Sequence, residues 1–121
     1  MAGTLVPAVM IPRYTAYSGA TAFRTIGMDV TEYQTAILNV WRGQILGGGS
    51  TSFLVNCEES TDQNIWSICS GTTEDDTVTE DQEKQFTATL KKRWFRLRIE
   101  TTGTAPVVSC WAVGFLEDRQ Q

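Results

Sequence analysis

The side chains in this chain that could do chemistry are carboxylates, thiols and one basic run. Acidic neighbours occur as Glu58-Glu59, Asp75-Asp76 and Glu117-Asp118, and hydrolysis of a glycosidic bond needs only two carboxylates. Residues adjacent on a strand point to opposite faces, so these pairs are poorly placed to flank one bond. The 121 residues include no histidine. That removes the commonest general base, and with it Ser-His-Asp, Cys-His and His-ligated metal sites. Cys57, Cys69 and Cys110 form no C-x-x-C pair, which argues against zinc. Gly47-Gly48-Gly49-Ser50 lacks the lysine and following helix of a phosphate loop and reads as a turn. The residues therefore predict no catalytic site, no cofactor site and no metal site, and a chain that is not an enzyme.

Two charged stretches remain. The acidic one, Glu74 to Glu83, holds six carboxylates but neither the glycine nor the ligand spacing of a calcium loop, and it reads as a solvated loop. The basic one, Lys91-Lys92-Arg93-Trp94-Phe95-Arg96-Leu97-Arg98, carries five of the ten positive charges. Interleaved aromatics and cations suit nucleic acid. They equally suit a strand with Phe95 and Leu97 inward and its arginines paired outward. With a net charge of −4 there is no overall pull toward nucleic acid or anionic membrane. Trp94, Arg96 and Arg98 are instead candidate anchors of a protein interface, where tryptophan and arginine are enriched.

The elements that must position these residues read as strands. A hydrophobic fraction of 41% is that of a folded domain, and 121 residues suffice for one core. No apolar run approaches the roughly 18 residues of a membrane helix. Threonine, about one residue in seven, sits among Val, Ile, Phe and Trp, the composition of pleated strands. Tyr33 to Leu46 alternates partly and Thr51 to Cys57 cleanly, with Phe53, Val55 and Cys57 on one face. Phe86, Ala88 and Leu90 share a face; Trp94 to Glu100 and the apolar run Pro106 to Leu116 follow. The turn-like cluster Thr101 to Ala105 predicts a hairpin about Gly103, with Phe95 opposite Trp111 and Leu97 opposite Ser109. One face then carries Phe95, Leu97, Ile99, Val107, Trp111, Val113 and Phe115 as core, and the other carries Trp94, Arg96, Arg98, Val108, Cys110 and Ala112. The fold class expected is all-β: an antiparallel β-sandwich of seven or eight strands, with a closed or partly open barrel as the alternative.

A further hairpin turning near Thr61 sets Cys57 about three residues, roughly 10 Å, out of step with Cys69, too far for a disulfide. Three buried, reduced thiols and synthesis in a cytoplasm are expected. Residues 1–13 lack the basic start and sustained apolar stretch of a secretory signal. Pro7 and Pro12 keep them extended, either as a lead-in strand or as an arm lying on a neighbouring subunit, ahead of a single domain over 14–121. As an arm, Leu5, Val9, Met10, Ile11 and Arg13 are the expected contact residues.

The segment Glu59-Ser60-Thr61-Asp62-Gln63-Asn64-Ile65-Trp66 resembles the E-S-x-D-G-x-x-W hairpin of small β-sandwich structural proteins of tailed bacteriophages. Gln63 stands where glycine is usual. The strand before it, the later arginine-bearing strand and the closing apolar strand extend the resemblance over residues 33–116. It implies a virion protein made in the host cytoplasm: a head decoration, or cement, protein that binds the major capsid protein as a homo-oligomer, with a trimer expected. A neck or tail protein is the nearest alternative. A different class, a carbohydrate- or receptor-binding module, would use exposed aromatics such as Tyr14, Tyr17 or Trp41, whereas the sandwich reading wants Trp41, Trp66 and Trp111 mostly inside.

Overall fold

The computed structural model describes residues 4–19 and 22–119, so residues 1–3 of the expected arm lie outside the described residues. Nine strands follow one another: β1 (Leu5–Ser18), β2 (Ala22–Arg24), β3 (Met28–Asp29), β4 (Tyr33–Arg42), β5 (Leu46–Ser60), β6 (Ser67–Ile68), β7 (Asp76–Thr77), β8 (Gln82–Thr89) and β9 (Trp94–Asp118). No helix occurs among the described residues, as the β-branched and aromatic composition requires. All pairings are antiparallel and belong to one sheet, in the order β6-β5-β9-β4-β8, with β1, β2 and β3 also on β9 and β7 on β5. The sheet curls into a half-barrel, where the sequence predicts two stacked sheets.

β9 is the spine. Along one edge run β1, from Leu5 opposite Glu117 to Ser18 opposite Val107, then β2 and β3. Along the other run β4 and then β5, from Tyr33 opposite Asp118 to Ser60 opposite Trp94. The two ends of β9 come together at one short crossing: Val30 donates its N–H to the Arg93 carbonyl and Arg119 donates to that of Glu32. The hairpin expected about Gly103 is therefore corrected. The chain does bend there, with φ of 133° at Gly103 and 49° at Ala105. It does not pair with itself, because β5 and β1 take its hydrogen bonds on either side of the bend.

The bend also changes which residues face inward. Phe95, Leu97, Ile99 and Thr101 are buried before it; Pro106, Val108, Cys110, Ala112 and Leu116 are buried after it. Odd positions give way to even ones, as an irregularity inserted into a period-2 strand demands. Val108, Cys110 and Ala112 are thus core. Trp111, Val113 and Phe115 point outward, the reverse of the face expected. The core is completed by Phe53, Val55 and Cys57 of β5, Ala36, Leu38 and Val40 of β4, Phe86 and Ala88 of β8, and Ala8 and Ile11 of β1.

The Glu59–Trp66 segment makes its turn through side chains. Ser60 Oγ accepts the N–H groups of Asp62 and Gln63, and Asp62 Oδ1 accepts those of Asn64 and Ile65 at 2.9 and 3.0 Å. These bonds hold the Asp62 carboxyl below its ordinary range. Gln63, in place of the usual glycine, takes a left-handed φ of 62°. The turn is centred about two residues later than Thr61, so Cys69 lies directly opposite Cys57 and donates its N–H to the Cys57 carbonyl at 2.9 Å. The three-residue offset expected is corrected accordingly. All three cysteines are buried free thiols.

Candidate functional site

The two groups of residues expected to make contacts lie apart: Trp94, Arg96 and Arg98 on the first half of β9, and Leu5 to Arg13 on β1, which pairs with its second half. Arg96 and Arg98 project from the outer face of the Trp94–Thr101 half, but they are engaged within the chain. Glu58 meets Arg96 Nε at 2.8 Å and Arg98 Nε at 3.2 Å, through its two oxygens. Arg98 also reaches Glu100 at 3.2 Å, and the Arg96 guanidinium stacks 3.9 Å over the Trp66 ring. Trp94 is half-buried beside Arg93, whose guanidinium lies 5.0 Å over its ring. Lys91 and Lys92 give their backbone N–H groups to buried Glu59, and Arg93 pairs with Asp29. The basic run is therefore tied into the fold through its backbone and guanidinium groups.

The N-terminal residues divide. Ile11 is buried and Met10 packs against the core, whereas Leu5 and Val9 are half or more exposed. All belong to β1, which lies on the chain's own sheet on both sides of the expected 13/14 boundary, with a bulge over Pro12–Tyr14. Asp118 donates to the Thr4 carbonyl, so by alternation the backbone groups of Leu5, Pro7 and Val9 point away from β9. Pro7 has no N–H to offer there. A proline so placed blunts a free sheet edge against strand addition.

The remaining outer surface, on the β1-β9-β4-β8 half, is different in kind. Direct cross-strand partners share a face, so the registers lay out rows. One row is Pro7, Phe115, Ile37 and Thr87; the next is Val9, Val113, Asn39 and Gln85. The third is Trp111, Trp41 and Glu83, with Arg13 at the β1 end, its guanidinium 4.2 Å from the Trp111 ring centre. Trp111 and Trp41 are stacked, centroids 6.2 Å apart and planes inclined by 14°. Phe115 is 43% exposed and Val9 59%. Trp41, Trp66 and Trp111 are each partly buried, none of them enclosed in the core.

Beside this row the backbone is irregular. Pairing along β1 passes from Ile11 opposite Ala112 to Thr15 opposite Cys110, so Pro12, Arg13 and Tyr14 together oppose Trp111. Tyr14 has a φ of 67° and a fully exposed side chain. Left-handed backbone is costly for a bulky residue and persists where the surroundings impose it. Arg13, Tyr14, Thr15, Trp41, Ser109, Cys110 and Trp111 line a shallow cavity of about 290 Å³. The other proposed sugar contact, Tyr17, lies against Phe23, ring centroids 3.9 Å apart and planes tilted by 36°.

Chemically, this surface offers apolar and aromatic contact with Arg13 and Glu83 at opposite ends of the tryptophan row and Glu117 in the row of Leu5. Burial pushes the Cys57 thiol up to about 12 and that of Cys110 up to about 11, far from a reactive thiolate at neutral pH. Among the described residues no group of three or more Cys, Asp or Glu is arranged to hold a metal. The acidic stretch is spread out, with Asp76 paired to Lys84 at 2.8 Å and Asp75 bonded to Asn56. Trp111, Val113, Phe115 and Ile37 are the surface residues that the sequence reading missed. The available signal was that the Pro106–Leu116 run is apolar at both parities, with its large aromatics at one. Compared with known proteins, the chain matches no family model, no curated protein and no solved structure.

Proposed function

We propose that this chain is a non-enzymatic structural protein of a virion, of the head-decoration type, whose working surface is the outer face of the β1-β9-β4-β8 half. The observation that carries the reading is one continuous outward-facing apolar set, in which Leu5, Pro7, Val9 and Phe115 are exposed and Val113, Trp111, Ile37 and Trp41 are partly buried. Contiguous apolar surface rimmed by polar residues marks an interaction site. The curled sheet encloses one core, and a single well-packed core supports the stiffness a shell-binding protein needs. The Glu59–Trp66 turn supports the phage resemblance through the Asp62 bonding that such a hairpin requires. A chain without histidine, with its thiols pushed up by burial, is suited to binding rather than turnover.

A carbohydrate-binding role draws on the Trp41–Trp111 pair and Tyr14. Sugar platforms present an open ring face, and here the Arg13 guanidinium already covers a face of Trp111. An arginine stacked on tryptophan is an anchor of protein interfaces. Protein docking is the better fit.

The test is co-sedimentation with empty capsids of the encoding virus. Wild type is expected to pellet at a fixed stoichiometry per capsomer and Trp111→Ser/Phe115→Ser to stay in solution. Wild type that remains in the supernatant, with tryptophan fluorescence that shifts on adding glycans, would overturn this reading in favour of the sugar-binding one.

A further inference from the structure

We propose that the occupant of the outer β1-β9-β4-β8 face is the same face of a second copy of this chain, related by a two-fold axis parallel to the strands. The proposal rests on the reading of that face as the working surface and names its partner: copies seated on the shell meet one another through it, and loss of that pairing is what takes Trp111→Ser/Phe115→Ser out of the pellet. Its basis is the row Arg13, Trp111, Trp41, Glu83, which carries a cation at one end, an anion at the other and two indoles between. Among the described residues neither Arg13 nor Glu83 has an ion-pair partner. Nor can they reach each other. They sit on the first and last of four strands, about 14 Å apart at normal strand spacing.

A two-fold along the strands exchanges β1 with β8 and β9 with β4 while leaving each row at its own height. Arg13 then faces the partner's Glu83, and Trp111 faces the partner's Trp41. In the other rows Phe115 meets the partner's Ile37, Val113 the partner's Asn39 and Val9 the partner's Gln85. Pro7 meets the partner's Thr87 and Glu117 the partner's Thr35, and the dimer holds two Arg13–Glu83 pairs, one at each end of the Trp111 row. A two-fold across the strands would set β1 on β1 and leave both Glu83 carboxylates unpaired. Self-complementarity of this kind is what a closed isologous dimer needs, and aligned face-to-face packing of sheets is a standard geometry. Pro7 favours the face over the edge, because continuation of the sheet through β1 would meet a position with no N–H.

Four strands and about seven residues per strand span roughly 20 Å by 24 Å, so the convex outer face buries at most on the order of 500 Å² per copy. That is the small end of specific interfaces and implies an affinity on the order of micromolar. Copies held on one shell would still pair, since local concentration replaces affinity.

The experiment is sedimentation equilibrium over a wide concentration range on wild type, Arg13→Glu, Glu83→Arg and a mixture of the two variants, with circular dichroism to confirm that each is folded. Wild type is expected to dimerise reversibly, and each variant to dimerise about tenfold or more weakly through like-charge contacts. The mixture is expected to recover dimers, because each variant then presents the charge the other lacks at both contacts. A wild type that stays monomeric overturns the proposal, as does a dimer indifferent to both reversals. A monomer that pellets with capsids sinks the self-docking and leaves the virion reading standing. A charge-dependent dimer that ignores capsids does the opposite.

Discussion

The guanidinium of Arg13 lies 4.2 Å above the Trp111 ring because three residues of β1 are spent opposite that one residue of β9. The extra length pushes Pro12, Arg13 and Tyr14 out of register, and the arginine folds back over the nearest exposed indole. The same bulge leaves Tyr14 with nothing to pack on and a φ of 67°.

Tyr14 is therefore a place where stability and binding are expected to oppose each other. Glycine adopts positive φ without a Cβ penalty. Tyr14→Gly should raise stability in urea by about 1 kcal/mol, while weakening capsid pelleting by removal of a fully exposed ring. A variant less stable than wild type would show that the bulge carries no strain.

Gly114 of β9 stands opposite Leu38 of β4, where a Cβ would overlap the Ile37 carbonyl. Backbone, not a mobile side chain, is in the way. Gly114→Ala should cost about 3 kcal/mol or more by strand displacement. Gly48→Ala, whose Cβ would lie 3.6 Å from that of Thr104 on an exposed strand, should stay within about 0.5 kcal/mol of wild type. Equal thermal melting of the two variants would refute the close approach.

Glu58 holds two arginines at once, with side-chain exposure of 9% against 16% and 18% for Arg96 and Arg98. Removing the shared anion leaves two guanidinium groups crowded and half-buried. Glu58→Ala should destabilise by about 3 kcal/mol in urea. Arg93→Ala, which breaks an exposed pair with Asp29, should cost less than about 1 kcal/mol. The contrast between the two is the diagnostic quantity.

Stability should fall at alkaline pH through the buried thiols. Burial raises Cys57 from an ordinary value of 9.0 to about 12 and Cys110 to about 11. Each native thiol thus stays protonated where the unfolded one ionises. The contribution is fully present below about pH 9 and is lost as pH rises through 11 to 12. Urea midpoints should hold steady from about pH 7 to 9 and drop above that. Alkylation of the folded protein at about pH 8 should be slow until denaturant is added; prompt labelling would contradict the burial.

Much of the sheet was legible in the residues themselves. Phe53, Val55 and Cys57 alternate with polar neighbours, and they are buried as that alternation demands; so are Phe86, Ala88 and Leu90. Phe95 and Leu97 point inward beside the outward Arg96 and Arg98 for the same reason. The Glu59–Trp66 turn was readable in its residue types, since Ser60 and Asp62 act on backbone groups two and three positions away. Its register was not, because Gln63 occupies a conformation usually left to glycine.

The candidate surface depended on tertiary structure. Period-2 patterning gives the relative facing of residues within one uninterrupted stretch but carries no phase across an irregularity, and the bend at Gly103–Ala105 moves Trp111, Val113 and Phe115 from the expected core to the outside. A turn-like cluster likewise does not say whether the chain pairs with itself or with strands from elsewhere. Here β5 and β1 satisfy the β9 backbone, so the cluster becomes a bend in a spine. The sequence by itself determined the strand-forming composition, the missing general base and the inward sets Phe53–Val55–Cys57, Phe86–Ala88–Leu90 and Phe95–Leu97–Ile99. Only the folded chain decided which two halves of β9 share a core and which aromatics remain exposed, because hydrogen-bond partners distant in sequence set the phase.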